Sequence, residues 1–223
     1  MNRLSVLSGL AGVSMLVAPL GVRAAEPSAS PRFYARLGVA HFDFRENAKI
    51  QLGGAPVPGG NATVDNNTPL SVELGYFLTP HISLAATIGV PPTTTLRGAG
   101  SLQGAGALGT VTYGPGVYTV RYHFNPEGKL RPYVGAGVNW TIVFDTDDRA
   151  LQNFKTSNTF GPTVTAGVVA PVSDRFSLFG SVSKGWIKTD STYDLATPGG
   201  LVPGKARVDL DPLVLNAGLQ VNF

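Results

Sequence analysis

Apolar and polar residues alternate along eight stretches of the chain, and this period of two predicts β-strands. In the second stretch, Leu70, Val72 and Leu74 fall on one face, while Ser71 and Glu73 fall on the other. The eight predicted strands cover residues 32–44, 69–78, 82–90, 112–124, 131–144, 159–170, 175–188 and 209–223. The pattern therefore predicts an all-β fold.

The connections between the predicted strands alternate in length. Short turns join strands at residues 79–81, 125–130 and 171–174. Long connections rich in Gly, Pro, Asn, Asp or Thr cover residues 45–68, 91–111, 145–158 and 189–208, and residues 150–155 are expected to form a short helical turn. Short turns at one end and long loops at the other are typical of an eight-stranded antiparallel transmembrane β-barrel with up-and-down topology. We call these ends the short-turn end and the long-loop end.

Alternation alone does not say which face of the strands looks outward. A soluble barrel with its apolar residues inside has the same period. Two features favour a bilayer, where an interface is typically marked by aromatic residues: aromatics gather near the strand ends, and the chain closes on Phe223. The predicted aromatic girdles contain Phe33, Tyr34, Tyr76, Tyr122, Phe124, Tyr133, Phe176 and Phe223 at the short-turn end, and Phe42, Phe44, Tyr113, Trp140, Phe144, Phe160 and Trp186 at the long-loop end.

The first 24 residues have the features of a secretory signal peptide: a basic start, an apolar stretch and small residues before a cut after Ala24. The predicted organisation is therefore a signal peptide over residues 1–24 and an outer-membrane barrel over residues 25–223, in a Gram-negative bacterium. Removing Arg3 and Arg23 from the 17 basic residues leaves 15 against 14 acidic ones. The sequence has no cluster of basic residues that would suggest nucleic-acid binding. The lack of Cys excludes disulfides, thiolate zinc sites and a Cys nucleophile.

Several short segments resemble one family of outer-membrane proteins. The stretch from Arg131 to Thr141, the run Tyr122-His123-Phe124, the pair Asp211-Pro212 and the final Phe223 are similar to the outer membrane protein W family. Trp140 departs from the family pattern, which more often has Tyr. The resemblance implies an eight-stranded barrel with a narrow, largely apolar passage for small hydrophobic molecules, and one branch of the family assists alkane uptake.

The last strand also looks like the signal that outer-membrane barrels present to the barrel-assembly machinery. Its alternate residues are apolar and end on an aromatic. The residues concerned are Leu215, Ala217, Leu219, Val221 and Phe223. The expected partners are thus membrane lipid, a small hydrophobic solute and, during insertion, the assembly machinery.

Arg36, Glu73 and Arg121 fall on the polar face and are the candidate lumen charges. Charges facing lipid cost about 2–4 kcal/mol each near the bilayer midplane, so we expect the three to face inward. They then either pair and block the lower lumen or only fill it.

No catalytic site, cofactor or metal site is predicted. His41, His81 and His123 fall on different strand ends and turns, so they cannot share a metal ion. Lipid hydrolysis requires a Ser or carboxylate bonded to His near the outer leaflet, and the sequence places no such pair there. The acidic residues Asp145, Asp147 and Asp148 lack the spacing of a calcium loop and are expected to be solvated.

A blocked lumen requires a solute to leave sideways through the barrel wall. Pro115 and Pro162, with Gly114 and Gly116, are the candidate residues for a lateral opening, because Pro donates no ladder hydrogen bond. Pro69 and Pro212 are expected merely to start their strands. Candidate solute contacts in the loops are Ile50, Leu52, Leu96, Leu102, Leu108, Leu151 and Phe154, which could equally cap the barrel. The alternatives are a structural or receptor barrel acting through its long loops, and a secreted soluble carrier.

Overall fold

The computed structural model describes residues 32–223, which are almost entirely β-strand. The signal peptide predicted for residues 1–24 lies outside the described residues. The strands are β1 (Phe33–Asp43), β2 (Asn47–Leu52), β3 (Ala55–Pro56), β4 (Gly60–Val64), β5 (Leu70–Thr79), β6 (Ile82–Gly89), β7 (Thr93–Gly100), β8 (Ala107–His123), β9 (Arg131–Asp148), β10 (Leu151–Thr156), β11 (Thr159–Pro171), β12 (Phe176–Gly185), β13 (Lys188–Thr197), β14 (Gly200–Asp209) and β15 (Leu213–Asn222).

Eight of these strands form a closed antiparallel barrel in the order β1, β5, β6, β8, β9, β11, β12, β15. The first and last strands close it, with Tyr34 opposite Asn222 and Asp43 opposite Leu213. Closure leaves no backbone edge facing hydrocarbon, which offers amides no partner. The predicted eight-stranded up-and-down barrel is confirmed.

The apolar face of each barrel strand looks outward. Leu74 is 64% exposed, Leu84 43% and Leu215 52%, whereas the alternate residues Ser71 and Glu73 of β5 are buried. A soluble barrel would bury the Leu side chains in its core, so the outward orientation predicted for a transmembrane barrel is confirmed.

The aromatic residues divide between the two faces of the barrel wall. Those exposed on the outside near the ends include Phe33, Phe124, Phe176, Phe223, Trp140, Phe144, Phe160 and Trp186. Tyr34, Phe42, Tyr113 and Tyr133 are instead buried. Assigning these four to outer girdles was wrong, because their register positions point inward even though they lie near strand ends.

The long connections are not irregular loops. A five-stranded sheet of β10, β13, β14, β2 and β3 stands at the long-loop end, and β4 and β7 extend the wall beside a lengthened β8. Both β8 and β9 run beyond their predicted bounds and remain paired as far as Gly109 and Asp148.

The helical turn expected over residues 150–155 is wrong, because this segment is β10 and pairs with β13. Within residues 32–223, the helical structure is one 3-10 turn over Gln103–Ala105. No helix in this range is long and apolar enough to cross a membrane.

Candidate functional site

The inside of the barrel opens at the long-loop end into a cavity of about 80 Å³, which we call the upper chamber. Phe42 of β1 and Phe44, just after β1, contribute to its wall, together with Tyr113 of β8 and Phe154 of β10. Apolar side chains provide much of the remaining lining: Val64, Leu96, Val111, Pro115, Val143, Ile187, Val208, Leu210 and Pro212. Such a surface binds apolar molecules by removing their surface from water.

All seven candidate loop contacts pack into one hydrophobic cluster at the long-loop end. Ile50, Leu108, Leu151 and Phe154 are buried there, and Leu52, Leu96 and Leu102 pack against them. Of the seven, Leu96 and Phe154 also line the upper chamber. Most of the seven therefore hold the strands of the long-loop end together, and two of them also reach the cavity.

Below the upper chamber lies a second cavity of about 60 Å³, the middle chamber. Hydroxyl and amide side chains supply nine of its lining residues, and Glu73 and Arg121 lie at its lower boundary. The polar residues are Ser71, Thr87, Thr119, Asn139, Thr163, Thr165, Ser181, Ser183 and Asn216. The lumen therefore becomes more polar along its axis, although apolar atoms still supply most of the surface of the middle chamber.

Four residues line both chambers and form the constriction between them: Phe42, Pro115, Asn139 and Pro212. Phe42 on β1 and Pro212 just before β15 belong to one wall, while Pro115 on β8 and Asn139 on β9 belong to the other. These two strand pairs lie half a turn apart in the barrel order.

The lumen plug, formed by Arg36, Glu73 and Arg121, lies below the middle chamber. Arg121 donates two hydrogen bonds to the Glu73 carboxylate, at 2.6 and 2.7 Å. Arg36 Nη1 lies 3.0 Å from Glu73 Oε1, and all three residues are at most 5% exposed. The structure brings the three predicted lumen charges together across β1, β5 and β8. A bidentate pair of this kind is strong and geometrically specific.

Polar and aromatic partners surround the plug. Thr87 donates to Glu73 at 2.6 Å, and Arg36 donates to the Gln220 side chain at 2.7 Å. Arg36 also donates to the Tyr133 hydroxyl at 3.0 Å. Because Glu73 accepts three hydrogen bonds, one from Thr87 and two from Arg121, the buried carboxylate has protein partners in place of water.

Two inward glycines make room for the tyrosine rings beside the plug. A Cβ at Gly75 would lie 1.9 Å from Cζ of Tyr34, and one at Gly167 would lie 2.5 Å from Cζ of Tyr133. Neither distance is compatible with a real side chain, so these positions require glycine while the rings stay in place.

The candidate residues for a lateral opening have different surroundings. Pro115 faces the lumen, and a Cβ at Gly89 would lie 2.9 Å from its Cγ. Strand β8 stops pairing with β6 at Gly116 and pairs with β7 from Thr112 upward, so Pro115 lies where β8 changes partner.

The other three opening candidates differ from Pro115. Pro162 is exposed on the outside, and its carbonyl accepts a bond from Trp186 N at 3.1 Å. Gly114 lies under the Phe144 ring, 2.6 Å from the position of an added Cβ, and Gly116 packs near the Trp140 carbonyl. The Gly114 site is thus covered by an aromatic ring.

One Ser–His pair was not predicted from the sequence. Ser83 Oγ lies 2.9 Å from His123 Nε2, and both residues are buried, at 0% and 3% exposed. Neither lines the upper or the middle chamber. Strand register could have found the pair, since Ser83 lies opposite Arg121, two residues from His123.

The other His and Asp residues considered in the sequence analysis make local contacts. His41 contacts Thr68 Oγ1 at 2.9 Å on the exposed surface. Asp147 accepts a bond from Thr110, and the Asp148 carboxylate accepts the backbone N–H groups of Asn153 and Phe154. Among residues 32–223, no three His, Asp or Glu side chains converge as metal ligands.

The outer surface of the sheet carries an exposed ion pair. Arg207 Nε donates to Asp190 at 2.7 Å. This hydrogen bond, more than the charge alone, lowers the pKa of Asp190.

The terminal strand presents its predicted apolar residues to the outside. Leu215, Leu219 and Phe223 are 52%, 53% and 68% exposed, and Ala217 and Val221 share their face. Their role as an assembly signal stays a prediction.

Comparison with known proteins identifies relatives of this barrel. The OmpW family model matches residues 31–223. The chain is 36% identical over 194 residues to the dibenzothiophene metabolism operon protein PahQ of Pseudomonas aeruginosa, covering 87% of this chain and 89% of that one. It is 29% identical to the outer membrane protein AlkL of Ectopseudomonas oleovorans, covering 83% and 81%. The crystal structure of OprG from Pseudomonas aeruginosa superimposes with a TM-score of 0.81 at 24% identity, covering 87% and 96%.

Proposed function

Because this chain belongs to the OmpW family and is an outer-membrane β-barrel, we propose that it binds small hydrophobic molecules in the upper chamber and passes them into the membrane. No catalytic step is part of this function. The observation that carries the proposal is the strongly apolar lining of the upper chamber, which lies above a more polar middle chamber and an ion-paired plug.

The character of the relatives supports a hydrophobic solute. PahQ, the relative at 36% identity, is named for a dibenzothiophene metabolism operon, and the family resemblance implies a branch that assists alkane uptake. Burying such a molecule contributes roughly 25 cal/mol for each Å² of apolar surface removed from water. Phe42, Phe44 and Phe154 supply large apolar surfaces for this purpose.

The lower lumen favours sideways exit over straight passage. An apolar solute that moved down from the upper chamber would exchange apolar contacts for contacts with hydroxyl groups. It would then meet the Arg36–Glu73–Arg121 plug. Breaking that plug would leave buried charges unpaired, which is costly. The lipid of the membrane beside the constriction is the nearest apolar environment that the solute can enter.

Within this proposal, the exit lies beside Pro115, where β8 changes partner from β6 to β7. The N–H groups of Tyr113 and His123 bond to Pro92 and His81 on that side of β8. Residues two apart in a strand face the same way, so an N–H at position 115 would face Gly89. Pro115 has no N–H group, so one hydrogen bond between β8 and β6 is missing at the level of the constriction.

Uptake of an apolar dye into proteoliposomes tests the proposal. Liposomes with the protein should take up dye faster than empty ones, and both Pro115→Val and Pro162→Val should slow uptake, with the larger effect at Pro115, where Val restores an N–H towards Gly89. Pro69→Val, just before β5, is the matched control and should leave uptake unchanged. Equal uptake by the two variants and the parent rules out the side exit, and no uptake above empty liposomes rules out transport.

The second candidate is a receptor or structural role at the long-loop end. The observation that favours it is the five-stranded sheet, which packs on a buried cluster shared with β4 and β8 and carries an exposed ion pair on its outer face. Such a rigid platform would act without moving a solute. The same liposome experiment separates the two functions, since a platform alone produces no uptake.

A further inference from the structure

We propose that the upper chamber selects molecules with an apolar body and one hydrogen-bonding group, and that Thr159 recognises that group. Alcohols, phenols and similar singly oxygenated hydrocarbons fit this description. The inference rests on the proposed function for the location of the site, and it adds a substrate class and a specificity-determining residue.

Thr159 is the first residue of β11 and lines the upper chamber. It is 5% exposed, and its Oγ1 has no hydrogen-bond partner. Among residues 32–223, four buried side-chain atoms lack a partner, and Thr159 Oγ1 is the one whose residue lines a chamber. A buried hydroxyl without a bond costs free energy and calls for a reason.

The neighbouring hydroxyl groups in the chamber wall are already bonded within the protein. Thr141 donates to Asn139 Oδ1 at 2.9 Å, Thr156 and Thr189 contact each other at 2.8 Å, and Ser191 donates to Thr156 at 2.9 Å. The contrast singles out Thr159 as the buried wall hydroxyl that makes no hydrogen bond within the described part of the protein.

The position of Thr159 suits a molecule with two unlike parts. Thr159 lies opposite Thr141 in the β9–β11 pairing, so it belongs to a polar section of the wall. Phe42 lies on β1, which is three strands away from β11 among the eight strands of the barrel and therefore towards the facing side of the chamber. An apolar body against the aromatic wall would place its polar group towards Thr159.

The chemistry explains why such a site discriminates. A hydroxylated solute gains a hydrogen bond and also satisfies Thr159, whereas a hydrocarbon of the same shape leaves the buried hydroxyl unpaired. Net hydrogen-bond contributions of the usual size correspond to a preference of about fivefold in affinity.

The test compares naphthol with naphthalene, which share an apolar body and differ by one hydroxyl. Equilibrium dialysis against nanodiscs containing the full barrel measures binding of each probe, with empty nanodiscs correcting for partition into lipid. We expect the wild type to prefer naphthol, and Thr159→Val to reduce that preference about fivefold while naphthalene binding is retained. Val has nearly the shape of Thr and removes only the hydroxyl. Thr159→Ser should restore the preference for naphthol.

Thr192→Val, on the exposed outer face of the sheet, is the matched control and should keep the wild-type preference. Heat-dependent gel mobility confirms that each variant is folded. If Thr159→Val keeps the preference while both probes bind, the inference is overturned and the proposed function stands. If neither probe binds the wild type above empty nanodiscs, the proposed function fails as well.

Discussion

The two halves of the lumen are built by the same barrel strands but are filled in different ways. In the lower half, Arg36, Glu73 and Arg121 cross the lumen as a hydrogen-bonded ion cluster. In the upper half, inward positions of those strands hold Phe42 and Pro115 beside a cavity. Alternation determines which residues face inward, but the chemistry of those side chains determines whether the lumen is blocked or has room for a solute.

The comparison also concerns how each half responds to mutation. A buried ion cluster depends on every member, because removing one leaves uncompensated charge. Truncating one side chain of an apolar wall removes only the contacts of that side chain, and the strands keep their hydrogen bonds. The lower half should therefore control the stability of the barrel, and the upper half should control its affinity for solutes.

Glu73→Gln should have the largest effect. It removes the one carboxylate between two buried guanidinium groups, and we expect it to lower the free energy of unfolding by about 4 kcal/mol. Urea titration of the refolded barrel, followed by tryptophan fluorescence, measures the change. Glu127→Gln, in an exposed short turn, is the control and should match the wild type. Equal stability of the two variants would show that the plug is dispensable.

Phe154→Ala should weaken the long-loop sheet while leaving the barrel closed. Phe154 is 3% exposed and packs in the cluster that holds β10 to the rest of the sheet. Truncating a buried Phe costs about 3 kcal/mol, and the loss should appear as faster proteolysis within residues 145–158 with unchanged heat-dependent gel mobility. Phe160→Ala, on the lipid-facing surface, should leave that segment resistant. Loss of the folded barrel in Phe154→Ala would contradict independent behaviour of the two regions.

Asp190→Asn should have the smallest effect. The Arg207 hydrogen bond lowers the pKa of this carboxyl, so the pair stabilises the fold above the ordinary Asp pKa and loses its contribution as pH falls through the lowered value. Both side chains are exposed, at 63% and 64%, where solvent screens the interaction. The variant should be slightly less stable than the wild type at neutral pH, and the two unfolding curves should coincide once acid has protonated Asp190. A large loss of stability at neutral pH would contradict the small contribution expected of a solvent-exposed ion pair.

The barrel could be predicted from the sequence because its wall repeats one simple pattern. Apolar residues facing lipid alternate with small or polar residues facing the lumen, as Leu74 and Glu73 illustrate. The same alternation placed Arg36, Glu73 and Arg121 on one face. It did not reveal that the three meet at hydrogen-bonding distance, since contacts between strands depend on register.

The sheet at the long-loop end could not be predicted in the same way. Its strands are rich in Gly, Thr, Asn and Asp, residues that also form turns, and their apolar positions pack only against one another across the four long connections. Tyr34 and Tyr133 show a related difficulty, because inward glycines on neighbouring strands receive their rings. Thr159 carries no distinguishing sequence signal, since only the bonds of its neighbours set it apart.

Contacts between bound naphthalene and protein methyl groups test the central claim most directly. In lipid nanodiscs, intermolecular nuclear Overhauser effects should connect naphthalene to the inward methyl groups of Val111, Val143 and Leu96, which line the upper chamber. The account predicts these contacts in addition to any with lipid-facing side chains. Contacts confined to outward residues such as Leu74 and Leu84 would show that the solute stays in the bilayer and that the chamber does not receive it.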